Sequence, residues 1–200
     1  MIALSSLVIG FTSQAHAAPA TGPMPTLKQK NSDFEKLLRV KVEAGSPAEK
    51  KNKDEIKLLA ASLLDYSELG KKAMAQHWDT LKPAQRDEFL STFREMIERN
   101  YVKQVQTNLD YQMIYKEEKV TGDQAKVVST VKVKTKGKST DADIIYDLHQ
   151  VDGKWMVWDV TTDEVSLVRN YKGQFNRIIS EQGGFDELMR KMKKKLAEKE

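Results

Sequence analysis

Asp159 is the residue of this 200-residue chain best placed to do chemistry. It stands in Trp155-Met156-Val157-Trp158-Asp159-Val160, where alternation puts Trp155, Val157 and Asp159 on one face of a strand and Met156, Trp158 and Val160 on the other. An acid in line with buried apolar neighbours has a raised pKa and can act as a general base. It can equally pair with Arg169 or cap the turn before the last helices, and the structural role is the stronger expectation. Beyond the first seventeen residues there are two histidines, His77 and His149, in separate segments and without metal-ligand spacing. His149 can pair with an acid on a neighbouring strand, Asp147 being two residues away on the same face. A place on the wet face of the strand is the plainer reading. Ser166, in Glu-Val-Ser-Leu-Val, has no base beside it. There is no G-x-S-x-G, no phosphate-cradling glycine loop and no H-E-x-x-H. With no cysteine, thiol nucleophiles, Cys-ligated zinc, iron–sulfur clusters and disulfide scaffolds are excluded.

Helices and strands must position whatever these residues do. Asn31-Ser32 can cap a first helix carrying Phe34, Leu37 and Leu38. Ser46-Pro47-Ala48-Glu49 reads as a helix start, with Ser at the cap, Pro at the first position and Glu at the third. The helix that follows aligns Ile56, Leu59, Leu63 and Leu64. Asp65-Tyr66-Ser67-Glu68 repeats the signature before a short helix through Leu69 and Ala73 to Trp78. After Lys82-Pro83 comes the strongest helix, with Phe89, Phe93, Met96, Ile97, Tyr101 and Val105 at spacings of three and four. Near Gln112 the period drops to two and β-branched residues rise. Strands are expected at Gln112–Val120, Lys126–Lys136, Asp141–Val151 and Trp155–Thr162. Gly122-Asp123, Gly137-Lys138 and Asp152-Gly153 connect them as tight turns, which makes neighbours antiparallel. Val127, Val131 and Val133 alternate with lysines, so one face of the sheet is buried and the other wet. Helix returns after Val165, broken at Gly183-Gly184.

The fold class expected is therefore α+β, with helices packed on one face of a curved four-stranded antiparallel sheet. Such a sheet encloses a cone-shaped space, as in nuclear-transport-factor-like folds, and periodicity does not decide whether that space is packed or open. Composition agrees with a folded domain: 40% of residues are hydrophobic and 31% charged. Thirty-three basic residues against 29 acidic ones give a net charge of +4, with the signs interleaved, so no nucleic-acid stripe is present. The C-terminal MRKMKKKLAEKE forms an amphipathic basic helix with Leu188, Met189, Met192 and Leu196 on one side. Covering the core is its plainer role, lying on a membrane surface its alternative. At the front, residues 1–17 hold no charged side chain, and an apolar stretch from Ile2 to Phe11 precedes Ala15-His16-Ala17. This is the pattern of a secretory signal cleaved after Ala17. The expected organisation is a signal peptide at 1–17, a flexible linker at 18–30 and a single domain at 31–200. In a bacterium with two membranes that address leads to the periplasm.

Two stretches resemble a known family. In His77–Val105 the pattern W-x-x-L-x-P-x-Q-R-x-E-F is met by Trp78, Leu81, Pro83, Gln85, Arg86, Glu88 and Phe89. In Tyr146–Leu196 the pattern W-x-V-x-D-V…V-S-L-V-x-N-Y…Q-F is met by Trp155, Val157, Asp159, Val160, Val165, Ser166, Leu167, Val168, Asn170, Tyr171, Gln174 and Phe175. Both resemble the MlaC family of periplasmic phospholipid-binding proteins, also called the toluene-tolerance auxiliary family of ABC transporters. Lys82 stands where that family usually has Thr, which removes a helix cap, and Lys172 stands where it has Arg.

The resemblance implies a monomeric, non-enzymatic lipid carrier with no cofactor and no metal. Its ligand would be a phospholipid. Its partners would be an inner-membrane ABC transporter with an MCE-domain subunit and an outer-membrane lipoprotein–porin complex, the effect being to maintain outer-membrane lipid asymmetry. The lipid-binding residues would then come from Phe93, Met96, Ile97 and Tyr101 on the strong helix, Tyr146 and Leu148 on the third strand, and Trp155, Val157 and Val160 on the fourth. Leu167, Tyr171, Phe175 and Ile178 would complete the set. By pattern alone the same residues make a closed core. Two other readings stand beside the carrier. One is a periplasmic protein-interaction module with a closed core and an exposed apolar patch. The other is an isomerase or dehydratase with Asp159 or Asp147 as base inside the cone.

Overall fold

A computed structural model describes residues 22–107, 111–135 and 138–198, with the side chains of 101–107, 134, 135, 138 and 139 outside that description. The expected signal peptide at 1–17 and the first part of the linker, 18–21, lie outside the described residues. Among the described residues, six helices pack on a five-stranded antiparallel sheet, an α+β fold.

Helix α1 spans Pro23–Leu38, so residues 23–30 are helical where the composition reads as linker. Pro23 sits in the first turn with its φ preset for a helix. Leu27 is buried against the Trp155–Val157 cluster, and that packing stabilises a helix that local propensity alone leaves marginal. Asn31 and Ser32, expected as its cap, consequently lie inside it. Helix α2, Pro47–Ala61, begins as its sequence dictates: the Ser46 hydroxyl accepts from the Glu49 amide at 3.1 Å. It buries Ile56 and Ala60 against Phe34 of α1.

Asp65 caps α3, Tyr66–Met74, by accepting from the Glu68 amide at 2.9 Å. A 3-10 segment, Ala75–Thr80, leads into α4, Pro83–Thr107. Lys82 supplies no capping oxygen, but the Gln85 side chain reaches back to accept from the Lys82 amide at 3.0 Å, the other half of a capping box. Ser166 caps α5, Leu167–Glu181, by accepting from the Arg169 amide at 3.0 Å. Helix α6, Gly184–Ala197, follows the Gly183-Gly184 break and buries Leu188, Met189 and Met192. Its apolar side therefore covers the core, as the plainer reading has it.

The strands are β1 Tyr111–Thr121, β2 Gln124–Thr135, β3 Lys138–Val151, β4 Lys154–Thr162 and β5 Val165–Ser166, paired in sequence order. Lys138, expected in a turn, opens β3 opposite Thr135, while Gly137 lies outside the described residues. Asp152 and Gly153, at φ 49° and 74°, make the two-residue turn between β3 and β4. The fifth strand was not expected. Asp163 and Glu164 take φ 45° and 69° and fold Val165-Ser166 back onto Thr161-Thr162. Neither residue is glycine, so a propensity reading passes over this turn.

The largest core lies among α3, α4, α5 and α6. Phe89, Phe93, Tyr171 and Phe175 meet there in edge-on and stacked pairs with centroids 4.9–5.6 Å apart. A second cluster, with Val127, Leu148, Trp155 and Val157, lies on the inner face of the sheet. The chain between α2 and α3 joins the two halves. The Val157 amide donates to the Leu63 carbonyl and the Asp65 amide to the Val157 carbonyl, each at 2.8 Å.

Candidate functional site

Between the inner face of the sheet and the helices lies an open cavity of about 400 Å³. Strand alternation builds its floor. Tyr111, Met113 and Tyr115 of β1 face inward, opposite Val133, Val131 and Ser129 of β2, with Ile144 and Tyr146 of β3 beside them. Leu27, Asn31 and Phe34 of α1, Ala60 of α2, and Leu63 and Leu64 after it form one wall. Ile97 and Asn100 of α4, with Leu167, Asn170 and Tyr171 of α5, form the other.

Strand β4 reaches the cavity in an unexpected way. Leu148 pairs with Val157 and Asp147 with Asp159, which leaves Trp158 as an unpaired bulge. A bulge changes the phase of alternation. Val157 and Val160, expected on opposite faces, both line the cavity, and Asp159 does not. Trp158 packs against the helical core instead, under the Lys72 ammonium at 4.4 Å.

Asp159 is buried and its oxygens are occupied. Oδ1 accepts from the Val160 and Val168 amides at 2.8 and 3.0 Å, and Oδ2 from the Ser166 hydroxyl at 2.6 Å. It fastens β4 to the start of α5, the turn-capping role weighed above; Arg169 reaches the Glu164 carbonyl rather than Asp159. Asp147 lies 3.0 Å from the Lys126 ammonium and also stays out of the cavity. His149 is not on a wet face. Its Nε2 lies 2.9 Å from Asp65 Oδ2, because the backbone of Asp65 is bonded to Val157 on the neighbouring β4. His77 Nε2 lies 3.0 Å from Asn176 Oδ1. Among the described residues no group of three or more His, Asp or Glu could hold a metal ion, and no helix is long and apolar enough to cross a membrane.

Among the described residues lining the cavity none carries a charge. Its polar groups are tyrosine hydroxyls, amides and one threonine. Burial pushes Tyr111 and Tyr146 up to about 12, with the Glu35 charge adding to the first and a Ser129 hydrogen bond opposing the second. Burial also raises Tyr115, next to Tyr146, and Tyr171, against a hydrogen bond with Asn100. All four stay neutral at ordinary pH. The cavity opens beside β5: Val165 lines it yet is 60% exposed, and Asn100, Thr162 and Asn170 are exposed around it.

Of the residues singled out in the sequence, Ile97, Tyr146, Val157, Val160, Leu167 and Tyr171 line this cavity. Phe93, Met96, Leu148, Trp155, Phe175 and Ile178 do not. Leu148 and Trp155 sit in the sheet cluster, and the others close the helical core or pack on it. The side chain of Tyr101 lies outside the described residues. The sequence reading missed Leu27, Phe34, Met113, Tyr115, Val131 and Ile144. Alternation in β1 and β2 carries the signal for three of these; nothing local marks Leu27.

A sheet roofed by helices over an open, uncharged hollow defines an α+β protein built around an apolar cavity. The description "MlaC protein" matches residues 30–194 as a family model. The chain belongs to the MlaC family. A phospholipid-binding protein from Ralstonia solanacearum, solved in complex with a phospholipid, shares the fold with a TM-score of 0.69 and 22% identity, over 90% of this chain and 98% of that one. No curated protein matches this chain in sequence.

Proposed function

We propose that this protein is a soluble periplasmic carrier of glycerophospholipids. It shuttles them between an outer-membrane lipoprotein–porin complex and an inner-membrane ABC transporter with an MCE-domain subunit, and so maintains outer-membrane lipid asymmetry. It performs no covalent chemistry. The observation that carries this reading is the uncharged cavity itself, in a chain of the MlaC family. The Ralstonia protein of the same fold, crystallised with a phospholipid, supports the choice of ligand.

The physical task is to keep acyl chains from water. Each buried CH2 contributes roughly 0.8 kcal/mol, so two chains of about fifteen such groups represent on the order of 20 kcal/mol. Free lipid does not cross an aqueous gap against that cost, and a carrier must offset much of it while remaining able to release. Valine, leucine, isoleucine, methionine and tyrosine walls without fixed charges meet this need. A lining without charge also leaves the headgroup unread, so little headgroup selectivity is expected. Two enclosed chains imply more than the roughly 1,000 Å³ that bounds ordinary small-ligand sites. The cavity is smaller, about 400 Å³, so lipid entry displaces part of the wall.

Lipid extraction and native mass spectrometry of the purified protein test the reading. Phospholipid should co-purify, and stripped protein should take lipid from vesicles. Val160→Trp and Ile97→Trp should lower the bound lipid several-fold while the melting temperature stays within a few degrees. Protein that arrives without lipid and takes none from vesicles would end the proposal.

A further inference from the structure

The mouth of the cavity carries a feature that the acyl-binding role does not require. Asn170 lines the cavity at its exposed end, within the motif Val165-Ser-Leu-Val-Arg-Asn-Tyr. One turn further along α5, Gln174 Nε2 donates to Asn170 Oδ1 at 3.0 Å. That bond fixes the amide: its oxygen is taken, and among the described residues its Nδ2 hydrogens have no partner. On the same wall, Asn100 Nδ2 approaches the hydroxyl of the neighbouring Tyr171 at 3.5 Å and has a second N–H to give. Two neutral amides thus present donors where the apolar walls end.

We infer that Asn170, held by Gln174 and seconded by Asn100, donates hydrogen bonds to the ester carbonyls of the bound glycerolipid. This rests on the lipid-cavity reading and deepens it. A phosphate oxygen shares the same acceptor chemistry. It is disfavoured because phosphate sites use arginine or lysine, and among the described residues the lining holds neither. The carbonyls lie where acyl chain meets polar backbone, and Asn170 and Asn100 lie at the same boundary in the protein. Gln174 acts as a positioning residue.

Stripped protein should be offered vesicles containing equal amounts of a diester glycerophospholipid and its diether analogue with the same headgroup. One net hydrogen bond corresponds to about fivefold in affinity, so wild type should take up the diester about fivefold or more over the diether. Asn170→Ala should bring that ratio to near one. Gln174→Glu keeps a hydrogen bond to Asn170 but reverses its direction, turning the amide oxygen toward the mouth. It should erase the preference with the melting temperature unchanged, an effect that mere structural support would not give. Diacylglycerol against dialkylglycerol should show the same preference, since neither has a phosphate. Equal uptake by wild type, a preference that survives both substitutions, or one that appears only with phosphate would overturn the assignment. Failure to take up any of these lipids would overturn the lipid-cavity reading and this inference with it.

Discussion

The helical half and the sheet half of this molecule are built from the same residue types, yet one is filled and the other hollow. Among α3 to α6, Phe89, Phe93, Tyr171 and Phe175 interlock ring against ring. On the sheet, Tyr111, Met113, Tyr115, Val131 and Tyr146 face an open space. The difference is one of approach. In the helical half α3 closes onto α4 at Gly70, where an added Cβ would lie 2.6 Å from Leu90 Cδ2 and 3.3 Å from Phe89 Cε1. In the sheet half the helices are held at the perimeter: Leu63 and Asp65 bond to Val157, and Asp159 ties α5 to β4. Hydrophobic content does not distinguish a core from a cavity; the anchoring of the elements around it does.

Substitution should separate the halves. Phe93→Ala removes a fully buried ring from the filled half and should cost about 3–5 kcal/mol, read from denaturant midpoints. Val131→Trp, in the hollow half, should cost far less and abolish most lipid uptake. A Val131→Trp protein as unstable as Phe93→Ala would show that the hollow is ordinary core. Gly70→Ala tests the close approach directly. Overpacking against Leu90 and Phe89, partly offset by the helix propensity that alanine gains, should destabilise by about 1 kcal/mol and leave lipid capacity near wild type, because Gly70 does not face the cavity.

The smallest effect lies in alkaline pH. Unfolded tyrosine loses its proton near pH 10, whereas burial holds Tyr146 and Tyr111 protonated up to about 12. The unfolded chain therefore releases protons first, and the contribution of these tyrosines to stability should be constant below about pH 10 and decline between 10 and 12. Tyr146→Phe should flatten that decline in a series of denaturant melts. Identical slopes in the two proteins would mean that Tyr146 is hydrated in the folded state.

Much of this architecture is legible in local sequence. Ser46 with Glu49, Asp65 with Glu68, and Pro83 mark helix starts because capping is a short-range interaction. The valines of β2 and the Asp152-Gly153 turn mark strands for the same reason. The bulge at Trp158 is not legible, since nothing within the β3–β4 hairpin marks it and Trp158 docks on a helical core far away in sequence. Phe93 and Ile97 follow one another on the same apolar face of α4 and both belong to the helical core, yet only the second also lines the cavity. Helical period says that both are inside; only the tertiary anchors decide what each faces.

The backbone bonds between Leu63–Asp65 and Val157 have a consequence beyond holding a wall. Unpaired strand margins invite other chains to add to a sheet. Here β5 and this link occupy the outer margin of β4. At the opposite margin, β1 is bent by a register shift between Tyr115 and Glu117 and carries Lys116, Glu117, Glu118 and Lys119. A protein that keeps part of its interior vacant is thereby guarded against cross-strand aggregation on one flank by its own chain and on the other by charge.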